Sequence, residues 1–235
     1  MNGLSTRFPN GVVNRTAQHP FFNLIVPDLL TLQYERQDFN QYVAADWTVT
    51  ETQAAATQAL TAGAGGLILL TNSGANNDVN QIQKNPANFA FTSGKRAWVG
   101  ARFQLSDATN SAFAVGLQNV SADGTVLSNA TDGLFFLKPT AAAALVGYFR
   151  QDNSTGSANS ATLATLADAT SVTVEAYWDG KTSVIFGVNG VVVDQIDVTS
   201  SMIPNANLAL VACVKNGAVA AKTATIDYLF AAVER

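Results

Sequence analysis

The chain has 235 residues and a net charge of −4, and only 13% of its residues are charged, about half of the roughly 25% usual in globular proteins. No cluster of Lys or Arg occurs, which argues against a nucleic-acid-binding surface. The single cysteine, Cys213, and the single histidine, His19, exclude an internal disulfide and a zinc site built from several such residues.

The missing charges are replaced by Ala, Thr, Ser, Asn and Gly. A neutral polar surface of this kind suits extracellular or particle-bound proteins and oligomers, but also a low-charge soluble domain, and composition does not separate these alternatives. The N-terminus lacks a charged start followed by an apolar core, so no signal peptide is predicted. No apolar run is long enough to span a bilayer, and we expect a protein made in the cytoplasm without a membrane anchor.

Residues 1–36 differ in character from the rest of the chain. They contain three of the six prolines and no sustained hydrophobic period, so the sequence predicts an extended N-terminal arm. The arm carries basic residues and then apolar ones that suit a contact surface: Arg7, Arg15, Phe21, Phe22 and Leu24. It would either dock on a neighbouring subunit or pack against its own β domain.

Residues 37–235 are predicted to form a single β domain. About a dozen short β-runs recur at roughly ten-residue spacing, with turn residues between them, which is typical of a sandwich or barrel. Residues 171–198 are predicted to form three antiparallel strands, because Asp179-Gly180 and Asn189-Gly190 are strong signals for tight turns. The one helix candidate is the Ala-rich segment 52–63. Cys213, inside an apolar run, is expected to be a buried small hydrophobe.

Four stretches together resemble the concanavalin A-like, laminin-G-type jelly roll over residues 38–235. They are "DFNQYVAADWTVT", "KRAWVGARFQLSDATNSAFAVGLQ", "SVTVEAYWDGKTSVIFGVNGVVV" and "KTATIDYLFAA". The resemblance implies an all-β, two-sheet antiparallel jelly-roll sandwich preceded by the arm.

The Ala/Thr/Asn-rich composition, the phrase "LSDATNSAFAVGLQ" and the ending "AAVER" are similar to jelly-roll structural proteins of tailed bacteriophages. That resemblance implies a capsid decoration (cement) protein that binds the major capsid protein, forms a homotrimer, and sits on the virion surface after synthesis in the host cytoplasm. The alternative is a carbohydrate-binding module of a phage head or tail fibre.

Catalytic chemistry is not predicted. Glycosidases of this fold type need two carboxylates on one strand face, and the nearest carboxylates are Glu175 with Asp179, the latter at a turn. The single histidine, His19, precedes Pro20 in the arm and is interpreted as a polar surface residue, so no activated nucleophile is predicted. The loop around Asp78 offers one carboxylate, which is too few for a typical calcium site. We therefore expect no enzyme activity, metal or cofactor.

Carbohydrate binding requires an exposed aromatic platform, and two residues are candidates. Trp178 lies next to the Asp179-Gly180 turn, and Tyr148 is followed by Arg150 two positions later. Each aromatic is alternatively a core or cross-strand residue. Loss of stability on substitution would distinguish a core residue from a platform.

Overall fold

A computed structural model describes residues 31–119, 130–152 and 156–235. Within these ranges the chain forms sixteen strands and two short 3-10 helices, Ala44–Asp46 and Ser200–Met202. The strands make two antiparallel sheets, so the all-β two-sheet sandwich predicted from the sequence is confirmed. No helix in the described ranges has the length and apolar character needed to cross a bilayer.

The first sheet, sheet A, contains both the first and the last described strands. Numbered in chain order, its strands are β1 (Leu32–Gln37), β3 (Thr57–Thr61), β4 (Leu67–Thr71), β6 (Ala97–Leu105), β12 (Val172–Trp178), β13 (Ser183–Val188), β14 (Val191–Asp197) and β16 (Thr223–Glu234). Their spatial order is β14-β13-β12-β6-β16-β4-β3, and β1 pairs with the C-terminal half of β16.

The second sheet, sheet B, is built from the remaining strands. These are β2 (Trp47–Glu51), β5 (Val79–Lys84), β7 (Ser111–Asn119), β8 (Gly133–Lys138), β9 (Ala144–Gln151), β10 (Gly156–Asn159), β11 (Ala164–Thr165) and β15 (Leu208–Asn216). Their order is β10-β9-β8-β7-β15-β5-β2, and β11 pairs with β9.

One hydrophobic core lies between the two sheets. Alternate residues along each strand point inward, as the two-residue period of a β-strand requires. On β6 the inward residue Phe103 meets Phe113 of β7, with ring centroids 4.4 Å apart. Both rings are almost completely buried, so this contact joins sheet A to sheet B near the middle of the sandwich.

The hairpins predicted from turn residues are confirmed. β12, β13 and β14 are consecutive antiparallel strands, as expected for residues 171–198. Asn189 and Gly190 have φ of 50° and 78°, the positive values that a type I′ turn demands. The side chain of Asp179 accepts hydrogen bonds from the backbone N–H groups of Lys181, Thr182 and Ser183, which fixes the other turn.

Two other sequence-based assignments need correction. The helix expected over residues 52–63 is wrong, because residues 57–61 form β3 and pair along their whole length with β4. Backbone pairing with a neighbouring strand outweighs the helix propensity of alanine there. The end of the predicted arm also changes: residues 32–36 belong to β1 and pair with β16, so they are part of the sandwich. Residues 1–30 lie outside the described part of the chain.

Candidate binding faces of the two sheets

Trp178 is a core residue and offers no surface to a ligand. Its side chain is 0% exposed, and its ring lies 5.3 Å from that of Phe91 and 5.4 Å from that of Phe149, measured between centroids. The hypothesis that it forms a glycan platform is therefore corrected. Trp178 ends β12 with its side chain directed between the sheets, so the neighbouring turn does not bring the indole to the surface.

Tyr148 lies on the outer face of sheet B, where it is half-buried in an aromatic cluster. Its ring stacks on Phe135 of the adjacent strand, with centroids 5.3 Å apart and planes 12° apart. The guanidinium carbon of Arg150 lies 4.7 Å from the centroid of Tyr148 and 5.6 Å from that of Phe135. Burial lowers the pKa of the Arg150 guanidinium. Tyr148 is thus a cross-strand aromatic that keeps part of its surface open.

Glycines make room for this cluster. A Cβ on Gly116 would come within 2.7 Å of the carbonyl oxygen of Leu134, and one on Gly133 within 2.9 Å of the ring of Phe135. Both glycines have positive φ, which other residues adopt reluctantly. The Phe135 ring therefore lies close against the backbone of its own sheet.

The rest of the outer face of sheet B is mostly apolar and buried, with the charged Lys215 near the end of β15. Its centre is a second apolar cluster that is separate from the core and consists of Val79, Ala112, Ala114, Ala209, Val211 and Cys213. Every member is 5% exposed or less although it points away from the other sheet. Cys213 is buried as expected, and burial raises the pKa of its thiol. This face is a packing surface rather than an open, solvated one.

Acidic residues are nearly absent from sheet B. Among its described strands the only carboxylate is Glu51, the last residue of the edge strand β2. A retaining glycosidase needs two carboxyl groups about 5–5.5 Å apart, and an inverting one needs them about 6.5–9.5 Å apart. The described strands of sheet B do not supply such a pair.

The outer face of sheet A carries a polar cavity of ≈ 270 Å³. It lies across four neighbouring strands, with Ser171 just before β12, Gln104 on β6, Thr225 on β16 and Leu67 on β4. Arg102 and Asp227 also line it, and their guanidinium and carboxylate groups are 3.1 Å apart. Sequence reasoning missed this site, because strands distant in the chain bring these residues together.

A partly buried pair of charges lies at the connection between β6 and β7. The Lys222 ammonium lies 2.7 Å from the Asp107 carboxylate, which also accepts hydrogen bonds from the backbone of Thr109 and Asn110. Burial would raise the pKa of Asp107, but the hydrogen bonds from Asn110 and Lys222 outweigh it and hold that pKa well below its usual range. The geometry is that of a structural turn.

Lys138 adds a fully buried ammonium to the same region. Its Nζ donates to the backbone oxygens of Ser111 and Thr109, the second at 3.3 Å. Burial lowers the pKa of Lys138 to about 8. Its hydrogen bonds hold the start of β7.

The loop around Asp78, considered above as a calcium site, is a turn held by hydrogen bonds to the Asp78 carboxylate. The Asp78 carboxylate accepts hydrogen bonds from the Thr52 hydroxyl at 2.9 Å and from the Ser73 backbone at 2.6 Å. Within residues 31–119, 130–152 and 156–235, no group of three or more His, Cys, Asp or Glu side chains is placed to hold a metal ion. The predicted arm contacts Arg7, Arg15, Phe21, Phe22 and Leu24 all lie outside the described residues, as does His19.

Comparison with solved structures shows which known proteins share the fold of this chain. No family model matches the sequence, and no curated protein matches it. Among solved structures, an endo-1,3-beta-glucanase from Streptomyces sioyaensis superposes with a TM-score of 0.62 at 13% identity, covering 87% of this chain and 97% of that one. Peanut lectin superposes with a TM-score of 0.55 at 12% identity, covering 86% and 97%. The fold is concanavalin A-like.

A third match extends over more of the chain. A protein of unknown function from Shewanella oneidensis MR-1 superposes with a TM-score of 0.58 at 12% identity, and the match covers 94% of this chain and 97% of that one. At such identities the likeness concerns the fold alone. The concanavalin A-like jelly roll is used by a glucanase and by a lectin, so this fold is compatible with an enzyme and with a binding protein.

Proposed function

We propose that this protein is not an enzyme and acts by binding through its surfaces. The observation that carries this proposal is the scarcity of acidic groups in sheet B, whose described strands contain one carboxylate, that of Glu51 at an edge, while their other charged side chains are basic: Lys84, Lys138, Arg150 and Lys215. A sheet with a single carboxylate lacks the acid pair that glycoside hydrolysis uses.

The first candidate function is that of a virion structural protein, a capsid decoration protein that binds and stabilises the major capsid shell. The low charge and the resemblance to phage jelly-roll proteins support it. In this proposal the chain forms a homotrimer on the capsid surface. Residues 1–30 supply the contact arm, with Arg7 and Arg15 pairing to acidic capsid groups and Phe21, Phe22 and Leu24 burying apolar area.

The energetics of such an arm are sufficient for attachment. Burying a Phe or Leu side chain contributes about 1.5–3 kcal/mol, so three such side chains contribute several kcal/mol per subunit. In a trimer the three arms bind together, and avidity multiplies the affinity of each one.

Sedimentation equilibrium on the full chain and on a chain lacking residues 1–30 tests this function. The deletion must stop at residue 30, because removing β1 would expose one side of β16. We expect a trimer for the full chain and a folded monomer for the truncated one. Full-length protein, but not an R7A/R15A variant, should then bind capsid shells that lack decoration protein. A full-length monomer that does not bind such shells would contradict the proposal.

The second candidate function is carbohydrate binding, as in a head- or tail-fibre module. The specific observation in its favour is the partly open ring of Tyr148, next to the guanidinium of Arg150, on a fold shared with peanut lectin. A glycan array probed with the wild type and with Tyr148→Ala tests it. Binding that Tyr148→Ala removes, while circular dichroism shows that the variant is still folded, supports a platform at this residue. An array without any bound glycan contradicts the function.

A further inference from the structure

The cavity on the outer face of sheet A is shaped by a β-bulge. Phe103 of β6 pairs with Ile226 of β16, and Arg102 pairs with Tyr228, so Asp227 is an extra residue without a partner position in the ladder. Bulges redirect a side chain away from the regular alternation of a strand. Here the bulge brings the carboxylate of Asp227 to 3.1 Å from the Arg102 guanidinium at the edge of the cavity.

The opposite wall is the glycine-rich turn between β3 and β4. A Cβ on Gly63 would lie 2.2 Å from a methyl carbon of Leu67, so a larger residue at this position would displace the Leu67 side chain. Gly65, with φ of 88°, lies beside the Asp227 carboxylate. Leu67 and Ala64 therefore form an apolar side of a cavity whose other sides are polar.

The polar groups of the cavity combine donors with acceptors and are electrically balanced. Arg102 and Asp227 neutralise each other, and the Ser171 hydroxyl bonds to Gln104 at 3.4 Å, a long contact that leaves both groups adaptable. Thr225 adds a hydroxyl that both donates and accepts. The side chains of Arg102 and Asp227 remain 49% and 24% exposed, so an incoming ligand reaches both.

These features select the chemistry of a ligand. An anion would have to displace Asp227 from Arg102, and an apolar molecule would leave the polar groups of the cavity unpaired. A hydroxyl group donates to a carboxylate and accepts from a guanidinium at once, so a neutral polyol satisfies the existing pair without separating it. The volume of ≈ 270 Å³ lies just below the range of about 300–1,000 Å³ that is usual for sites of drug-sized ligands, so the cavity suits a smaller molecule.

The geometry points to a binding site for a single neutral sugar ring in this cavity. Adjacent hydroxyls of the ring bridge Asp227 and Arg102, further hydroxyls contact Gln104 and Thr225, and the C–H face of the ring packs on Leu67. The site lies on the sheet opposite Tyr148. It deepens the second candidate function and rests on carbohydrate binding being a property of this chain.

Titration of the isotope-labelled full chain with glucose, galactose, mannose and N-acetylglucosamine, followed by NMR, tests the site. The expected result is millimolar binding of at least one sugar, with shifts centred on the cavity. Gln104→Ala and Thr225→Val should each weaken that binding roughly tenfold, as expected for a lost hydrogen bond of about 1.4 kcal/mol. Asp227→Asn should weaken it further. The matched control is Asp38→Asn, which removes the 2.9 Å ion pair to Arg36 outside the cavity and should leave binding unchanged.

Each other outcome overturns the inference in a distinct way. If Tyr148→Ala abolishes binding and the cavity variants leave it intact, the sugar binds on sheet B. The carbohydrate-binding function then stands, but the cavity site does not. Absence of binding by every sugar, on the array and in solution, overturns both. Shifts at the cavity caused by acetate or phosphate but by no sugar show an anion site. Should Asp227→Asn fail to fold, Thr225→Val keeps the shape of its parent residue and carries the test.

Discussion

Replacing Trp178 by alanine separates the core position of this residue from a role as a sugar platform. The side chain is 0% exposed and packs against the rings of Phe91 and Phe149. A buried aromatic side chain removes about 150–250 Å² from water, which at about 25 cal/mol per Å² corresponds to about 4–6 kcal/mol. Measured Trp→Ala changes in cores cost about 3–5 kcal/mol. We expect the free energy of unfolding to fall by about that amount.

The assay is chemical denaturation followed by far-UV circular dichroism, because removing a tryptophan changes the fluorescence signal. A loss of 3–5 kcal/mol lowers the melting temperature of a domain of this size by about 6–20 °C. Trp178→Phe is the graded variant: the indole N–H has no hydrogen-bond partner within the described residues, so the cost is that of the smaller volume only. Tyr34→Ala, at a side chain that is 50% exposed, is the surface control and should cost about 1 kcal/mol or less.

An unchanged denaturation midpoint for Trp178→Ala would refute this reasoning. The indole would then have to lie outside the core, and its contacts with Phe91 and Phe149 could not be stabilising. A reduced slope of the transition without a change in midpoint would instead indicate an altered denatured state.

Three further substitution or labelling experiments test local features. Asn189→Ala should lower the free energy of unfolding by about 1–3 kcal/mol, because alanine is strained at a positive φ and cannot accept the hydrogen bond that the Thr173 N–H donates at 2.9 Å. Asn189→Gly should cost less, because glycine tolerates that φ. Equal denaturation curves for the wild type and Asn189→Ala would contradict the turn assignment. The Lys138 pKa is about 8 when folded and 10.5 when unfolded, so between these pH values the unfolded chain holds a proton that the folded chain has released. The stability of the wild type relative to Lys138→Met should therefore rise with pH across that window, by up to about 1.4 kcal/mol per unit; a flat difference in denaturation curves would contradict it. Cys213 should react with a thiol reagent only after denaturation, and fast labelling of the native protein would show that its strand opens.

The strand-and-turn pattern of this chain was readable from local chemistry. Asn189-Gly190 and Asp179-Gly180 demand the backbone conformations that they adopt, and each is reinforced by a side chain that accepts backbone hydrogen bonds. The β-branched residues on either side of these turns favour strands over helix. Local rules suffice here because the information lies within a few residues.

Local rules failed where burial is set by distant strands. β12 is covered on both of its faces, with Val174 and Trp178 in the core and Tyr177 in a separate cluster on the outer side. The usual alternation of buried and exposed residues is therefore absent, and sequence cannot show which aromatic faces solvent. The helix prediction for residues 52–63 was wrong for a related reason, because β4, the strand that pairs with β3, follows only after the glycine-rich turn.

The polar cavity could not be found from sequence, because its walls come from strands far apart in the chain. Gln104, Ser171 and Thr225 are neighbours only because β6 lies between β12 and β16 in sheet A. The local traces are Asp227 in β16 and Arg102 in β6, each a charged residue between apolar ones in a long strand. Without the register shift at that position, a charge there is indistinguishable from an ordinary surface residue.

The two proposed functions use different residues and can therefore coexist. The central outward residues of sheet B are already 5% exposed or less in the single chain, whereas the outer face of sheet A carries the Arg102–Asp227 pair and an accessible cavity. In the proposal, assembly uses residues 1–30, and sugar binding uses the cavity of sheet A. Loss of trimerisation should accordingly leave sugar affinity per subunit unchanged, while cavity variants should leave the oligomeric state unchanged.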